Sequence, residues 1–178
     1  MSGAENQQER LIQLGWVTGF VDGEGCFSIG FVRQSDRARR RGYKAGFQVS
    51  HRFVVTQGVS GRAALEELQD FFGVGRIYTF ARHDNHREHL GQFIVNRRED
   101  LLESIIPFFN THSLRTAKQR DFEKFARCME IVASGQHRQA AGLIKVAEIA
   151  ETMNRKTSRR ALIRILRGHT PEVQDTGS

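Results

Sequence analysis

The run Leu14-Gly15-Trp16-Val17-Thr18-Gly19-Phe20-Val21-Asp22-Gly23-Glu24-Gly25-Cys26-Phe27 constrains this chain more than any other. It begins as an apolar helix with two glycines, Gly15 and Gly19, spaced four apart, and Thr18 adds a further small side chain beside them. Residues four apart share a helix face, so they form a shallow strip that a second backbone can approach closely. The run then sets two carboxylates, Asp22 and Glu24, around Gly23 and Gly25, with no bulk to shield them. Directly afterwards the helical period gives way to alternation, because Phe27, Ile29 and Phe31 are interleaved with smaller residues, and this predicts a strand. A carboxylate delivered at a helix C-terminus opposes the helix dipole. A divalent cation is the natural group to offset that cost.

Charge says what kind of partner to expect. The chain of 178 residues carries a formal net charge of +7, with 39% hydrophobic residues and 13 Phe. Its pI of about 10.1 predicts a basic surface on a folded core, and hence a polyanion partner, nucleic acid before membrane. The length suits one domain over 11–168, after a polar segment 1–10 and before a flexible tail 169–178. No apolar run is long enough to span a membrane, and the polar N-terminus lacks the apolar core of a signal peptide. The expectation is therefore a protein neither secreted nor membrane-bound, in a prokaryotic cytoplasm or an organelle interior. Cys26 and Cys128 stand far apart with no CxxC pattern, so neither a zinc site nor a disulfide framework is expected. His83, His86 and His89 fall in a turn-like stretch, read as a loop rather than a metal site.

Taken in order, residues 7–21 read as a helix packed by Leu11, Leu14, Val17, Thr18 and Val21, and 25–33 as a strand. An arginine-rich loop, 34–42, repels itself unless phosphates neutralise it. The strand 43–55 alternates clearly: Ala45, Phe47, Val49, Phe53 and Val55 face one way, and Lys44, Gly46, Gln48, Ser50 and Arg52 the other. Gln, Ser and Arg suit base-edge readout in a major groove wide enough for a β-ribbon. Ser28, Arg33 and Gln34 near the first strand, with Lys44, Gln48, Ser50 and Arg52 on the second, are thus candidate DNA-binding residues. A helix follows at 59–72, with Leu65, Leu68, Phe71 and Phe72 inward. The strand 76–82 places Arg76, Tyr78, Phe80 and Arg82 on one face; Arg76, Tyr78 and Arg82 join the DNA-binding set, and Phe80 predicts that one end is covered or bulged. The strand 88–95 alternates poorly, so its faces stay unassigned, with Gln92 a further DNA-binding candidate. A helix begins near Arg98 and is expected to bend or end at Pro107. Helices at about 115–133, with Phe122, Phe125, Met129 and Val132 at core spacing, at about 137–152, and at 159–167 after a Thr157-Ser158 cap complete the chain.

The segment Gly19-Phe20-Val21-Asp22-Gly23-Glu24-Gly25 resembles the signature of the LAGLIDADG homing endonucleases, and the order αββαββα with extra C-terminal helices is similar to their core. The resemblance runs from about residue 11 to at least 135. It implies an α+β fold whose saddle-shaped antiparallel sheet sits on DNA, and an intron-encoded enzyme that makes site-specific, metal-dependent staggered cuts in both strands of a long pseudo-palindromic target. It implies Glu24 as the acid that binds Mg²⁺ (or Mn²⁺), a Glu where the signature more often has Asp, with the Gly23 carbonyl as a backbone ligand and Asp22 holding the turn. By position it implies Gln57 as the polar residue that orients solvent, and Lys118 as the cation that polarises the solvent network or steadies the transition state. Arg115 is the substitute for Lys118 in another register, and Arg62, beside Gly61, is a weak further candidate.

Only one copy of the motif is present, whereas two cuts need two acids. The chain is therefore expected to be a homodimer, with Gly15, Thr18, Gly19 and Asp22 at the two-fold helix pair. A second reading is a non-catalytic binder on the same scaffold, such as an intron maturase, with RNA as its partner.

Overall fold

The first helix, α1, spans Gly3–Glu24, starting earlier than the apolar periodicity does and absorbing most of the polar N-terminal segment. The structure, a computed structural model, describes residues 3–34, 46–81, 88–153 and 158–168. Val17 and Val21 are fully buried, whereas Leu11 is 62% exposed and is not part of the core as its spacing suggested. Helix α1 passes into β1 (Gly25–Arg33), and β2 covers Phe47–Gly58. The strand β2 thus runs past residue 55 and contains Gln57, while 43–45, the arginine-rich loop beyond Gln34, and Arg82, His83 and His86 lie outside the described residues. A short 3₁₀ turn, Val59–Gly61, leads into α2 (Arg62–Phe72), which closes at Gly73 in the left-handed conformation. Strands β3 (Arg76–Phe80) and β4 (Leu90–Val95) follow.

The strands form one sheet in the order β1-β2-β4-β3, with β4 antiparallel to both β2 and β3. Alternation along β4 is regular after all, with Gly91, Phe93 and Val95 buried between half-buried Leu90, Gln92 and Ile94. Gly91 hid this pattern from the sequence: its place beneath Leu65, whose Cδ1 would lie 3.0 Å from an added Cβ, is inward without an apolar side chain to show it. Nor is Phe80 covered or bulged. It is 46% exposed and pairs in register with Leu90.

The helical run α3, 98–111, does not stop at Pro107. It opens as Arg98–Asp100, widens to a π turn over Leu101–Ile105, and resumes as Ile106–Thr111 with Pro107 in its first turn. Proline removes a donor and crowds the preceding carbonyls. A wider turn just before it accommodates both defects without breaking the helix. Helix α4 is Lys118–Ala133, α5 is Ala140–Glu151 after a 3₁₀ turn at Gln136–Arg138, and α6 is Arg160–Gly168. Ser158 serves as expected at the start of α6, its Oγ accepting the Arg160 N–H at 3.4 Å.

Chain contacts divide the molecule into two compact units, Met1–Phe27 with His51–Glu123 and Ser28–Ser50 with Lys124–Ser178. The first is centred on aromatic rings: Phe27 and Phe53 stack at 5.0 Å between centroids, and Phe109 and Phe122 pack edge-on or tilted against Phe27 at 5.5 and 5.2 Å. These rings are at most 1% exposed, so they remove several hundred Å² of apolar surface from water and hold the end of α1 in place. The second has a mainly aliphatic core of Met129, Val132, Leu143, Val146, Ala147 and Leu166, with Phe125 as its aromatic member. There Arg159 donates to the carbonyls of Ala150 and Ile29, and burial pushes the Cys128 thiol up to about 12 despite Arg159.

Candidate active site at the end of the first helix

Gly25 makes an abrupt helix-to-strand junction feasible. A Cβ there would stand 2.7 Å from both Cγ1 and the carbonyl oxygen of Val21, so no larger residue fits without displacing backbone. With no loop between α1 and β1, Gly23 and Glu24 are left exposed at the junction.

The helix dipole at this end is answered from within the chain. Lys118, the first residue of α4, donates from Nζ to the carbonyl of Val21 at 2.9 Å and to that of Gly23 at 3.0 Å. A cation on the last carbonyls of a helix satisfies orphan acceptors and opposes the negative end of the dipole. Burial lowers the ammonium's pKa below the ordinary lysine value, and the charges of Asp22, Cys26, Glu24 and Asp121 only partly restore it.

Asp22 returns the tie. Its carboxylate accepts the backbone N–H of Arg115 at 2.9 Å and of Thr116 at 3.1 Å, and the Thr116 hydroxyl at 2.6 Å. The Thr116 oxygen in turn accepts the Lys118 N–H at 3.2 Å. Burial acts to raise the Asp22 carboxyl, but the Thr116 hydroxyl, the two backbone donors and Lys118 outweigh it and hold the carboxyl below its ordinary range. Asp22 therefore fixes the segment that presents Lys118, and Lys118 fixes the turn that presents Glu24. Thr116 was not singled out from the sequence, although a threonine two residues before a helix start is a recognisable cap signal.

The Glu24 carboxylate itself takes no hydrogen bond from any described residue and is exposed beside Lys118. Gln57 shares the inward parity of Phe53 and Val55 on β2, opposite Gly91, and its Oε1 would lie 3.2 Å from a Cβ at Gly61. Arg62 is spent along its own helix, with Nε 2.8 Å from Glu66. Arg115 reaches Asp22 only through its backbone; its side chain lines a groove with Leu11, Leu14, Gly15, Thr18, Gly19, Asp22, His112 and Ser113. In that groove a Cβ at Gly15 or Gly19 would meet nothing within 4 Å.

Among the described residues no group of three or more His, Cys, Asp or Glu is placed to hold a metal ion. The donors at the junction are the exposed Glu24 carboxylate and the Gly23 carbonyl. Both are hard oxygens, which suits Mg²⁺ or Mn²⁺ but leaves most of the coordination shell to water, to phosphate oxygens or to a second copy of the chain.

The outer face of the sheet carries most of the predicted DNA-binding residues. In the first unit the registers set Val54, Ile94 and Arg76 in one row, Thr56, Gln92 and Tyr78 in the next, and Gly58, Leu90 and Phe80 in a third. Arg52 shares the parity of Val54 and Thr56. Gln92 donates to Thr56 Oγ1 at 3.1 Å. In the second unit Gln34 donates to Gln48 at 3.0 Å, Ser50 Oγ stands 2.6 Å from where a Gly30 Cβ would be, and Ser28 lies on the parity opposite buried Ile29. Arg33 is the exception: exposed, it follows the parity of Phe27, Ile29 and Phe31, so it does not share the face of Ser28 and Gln34. Lys44 and Arg82 lie outside the described residues.

Comparison with known proteins gives this geometry a family. Residues 17–129 match the family model described as LAGLIDADG endonuclease. The crystal structure of a homing endonuclease, I-TnaI, superposes with a TM-score of 0.72 at 36% identity, over 87% of this chain and 96% of that one. The I-LtrWI LAGLIDADG homing endonuclease, bound to target DNA, gives 0.73 at 25% identity, over 85% of this chain and 48% of that one. A curated relative, probable intron-encoded endonuclease 2 of Neurospora crassa, is 29% identical over 138 residues, which is 78% of this chain but only 26% of the relative's own length. The match spans the junction at Gly23 and Glu24, the sheet and the start of α4, and this chain belongs to the LAGLIDADG endonuclease family.

Proposed function

We propose that this protein is a homing endonuclease that binds a long, nearly palindromic duplex as a homodimer and cuts both strands in a metal-dependent reaction. One observation carries the reading: an exposed carboxylate, Glu24, stands at the C-terminal end of α1 beside a lysine that is itself anchored on the Gly23 carbonyl. A protein that only binds a polyanion gains nothing from an exposed acid there.

Glu24 and the Gly23 carbonyl would hold Mg²⁺ or Mn²⁺, which when bound would supply an acidified water and neutralise charge on the phosphate oxygens. The rest falls to the chain. Lys118 fixes the Val21 and Gly23 carbonyls and so the direction in which Glu24 projects, and its charge steadies the developing negative charge of the phosphate. Asp22 sets where Lys118 stands. The Gln57 amide orients attacking water. Arg115, whose backbone N–H Asp22 holds, is the alternative cation for that role.

The dimer is supported by the one acid-bearing motif in this sequence, since two cuts need two acids. The open groove along Gly15, Thr18 and Gly19 accepts a second α1, and the chain corresponds to about half of I-LtrWI, at 48% of its length. Cleavage of a randomised duplex library with Mg²⁺, wild type beside Glu24→Gln, tests the proposal. Staggered cuts at one long near-palindrome, lost in the variant while binding persists, are the expected result. Binding without cutting by both proteins would replace the endonuclease with a non-catalytic binder, and RNA would then be the ligand to try.

A further inference from the structure

On the outer face of the first unit, the three cross-strand rows differ in chemistry. Thr56, Gln92 and Tyr78 form a hydrogen-bonding row, with the Gln92 amide steadied on the Thr56 hydroxyl at 3.1 Å. The adjoining row, Gly58, Leu90 and Phe80, has no side-chain donor or acceptor at all. Gly58 has no side chain, and the Glu88 carboxylate fills the space that a Cβ there would take; Phe80 remains 46% exposed beside Tyr78 at 44%. Their rings stand 6.4 Å apart on one strand. Exposed aromatics on a water-facing sheet carry a hydrophobic penalty unless a partner covers them. The same face bears Arg76, two residues before Tyr78, so the partner expected there is anionic and also offers an apolar group.

The major groove of DNA has one such group, the C5 methyl of thymine; every other base edge is read by hydrogen bonds. We infer that Phe80, with Leu90 behind it, is a specificity-determining residue that packs on a thymine methyl, while Gln92 and Tyr78 read the hydrogen-bonding edges next to it. The inference rests on the reading of this chain as a DNA endonuclease, and deepens it.

The test starts from sites selected by cleavage of a randomised duplex library with Mg²⁺. Each thymine of a half-site is then replaced by deoxyuridine, which removes the methyl and keeps every hydrogen bond. Wild type should lose about fourfold in cleavage efficiency and binding at one or two thymines, the worth of one buried methyl-sized group. Phe80→Ser should show that loss on the thymine site and be indifferent to uridine there, and Phe80→Leu should keep the discrimination. Because Phe80 is exposed, these variants are expected to fold. A cleaved site at which no uridine substitution affects wild type, or at which Phe80→Ser keeps the full uridine penalty, overturns the methyl contact and leaves the endonuclease reading intact. If no duplex is cut, the endonuclease reading fails, and sites selected by binding carry the same uridine comparison. A chain that binds no duplex refutes both.

Discussion

Lys118 meets part of the helix-end charge that the sequence alone would leave to a metal ion. The acidic turn after α1 faces the negative end of the helix, and a bound cation is the obvious remedy, yet the ammonium already holds the two carbonyls there. Its proposed role is therefore double, to orient the turn and to meet the phosphate. Lys118→Met should lower single-turnover cleavage by about 10²–10³, the scale for losing one positioned electrostatic group. It should lower stability by only about 0.5–1 kcal/mol, as for a cation at a helix end, and leave duplex binding within about tenfold. Cleavage rates beside a melting curve and a binding titration make the comparison; a loss of cleavage that only tracks unfolding would reduce Lys118 to a helix cap. Glu24 and Lys118 could both be picked out from the sequence, by their positions in the segments that resemble the LAGLIDADG endonucleases. The tie between Lys118 and Gly23 could not, because 95 residues separate them and only the fold brings α4 to the end of α1. The bond from the Thr116 hydroxyl to Asp22 escaped for the same reason, although its local bond to the Lys118 N–H follows a readable cap signal.

At the scale of elements, period and glycine placement made most helices and strands readable, and the failures have specific causes. The inward side of β4 was obscured by Gly91, and helix α3 survives Pro107 through a π turn that leaves no mark in composition. The turn after β2 depends on a contact from elsewhere: Glu88, next to β4, accepts the Ser60 N–H at 3.1 Å, and Val59 donates to His89 O at 3.0 Å. Gly58 lies beneath, where a side chain would collide with the Glu88 carboxylate. The Ser60 backbone N–H, then its hydroxyl, holds the Glu88 carboxyl below its ordinary value of 4.5. A carboxyl depressed in the folded chain contributes fully above its unfolded value, and the contribution is lost as pH falls through the lower folded one. The protection factor of the Ser60 amide in hydrogen exchange should therefore hold above pH 4.5 and fall well below it. In Glu88→Gln it should be lower and flat across the same range. An amide whose protection ignores both pH and the variant would mean that the turn is held by β2 and β4 alone. Gln57 is the last residue but one of β2, just before this turn, so the same bond bears on where its amide points.

For the whole molecule the decisive property is how many competent sites one assembly contains. Each chain has one Glu24 and one Lys118, and the ties of Asp22 and Lys118 close within a single chain. In the proposed homodimer, if each lysine serves the scissile phosphate next to its own α1, a mixed dimer of wild type and Lys118→Met has one intact site and one impaired one. Purified through two different affinity tags, it should nick one strand of a supercoiled plasmid bearing the target at close to the wild-type rate. Linear product should lag by about 10²–10³, the penalty of the impaired site. Wild-type homodimers should give linear DNA without a lasting nicked species, and Lys118→Met homodimers should give neither. Mixed dimers that cut neither strand would mean that each lysine supports both cuts through shared ions, and the two sites would then form one coupled centre. Mixed dimers that cut both strands normally would remove Lys118 from the chemistry and leave it the cap at the end of α1.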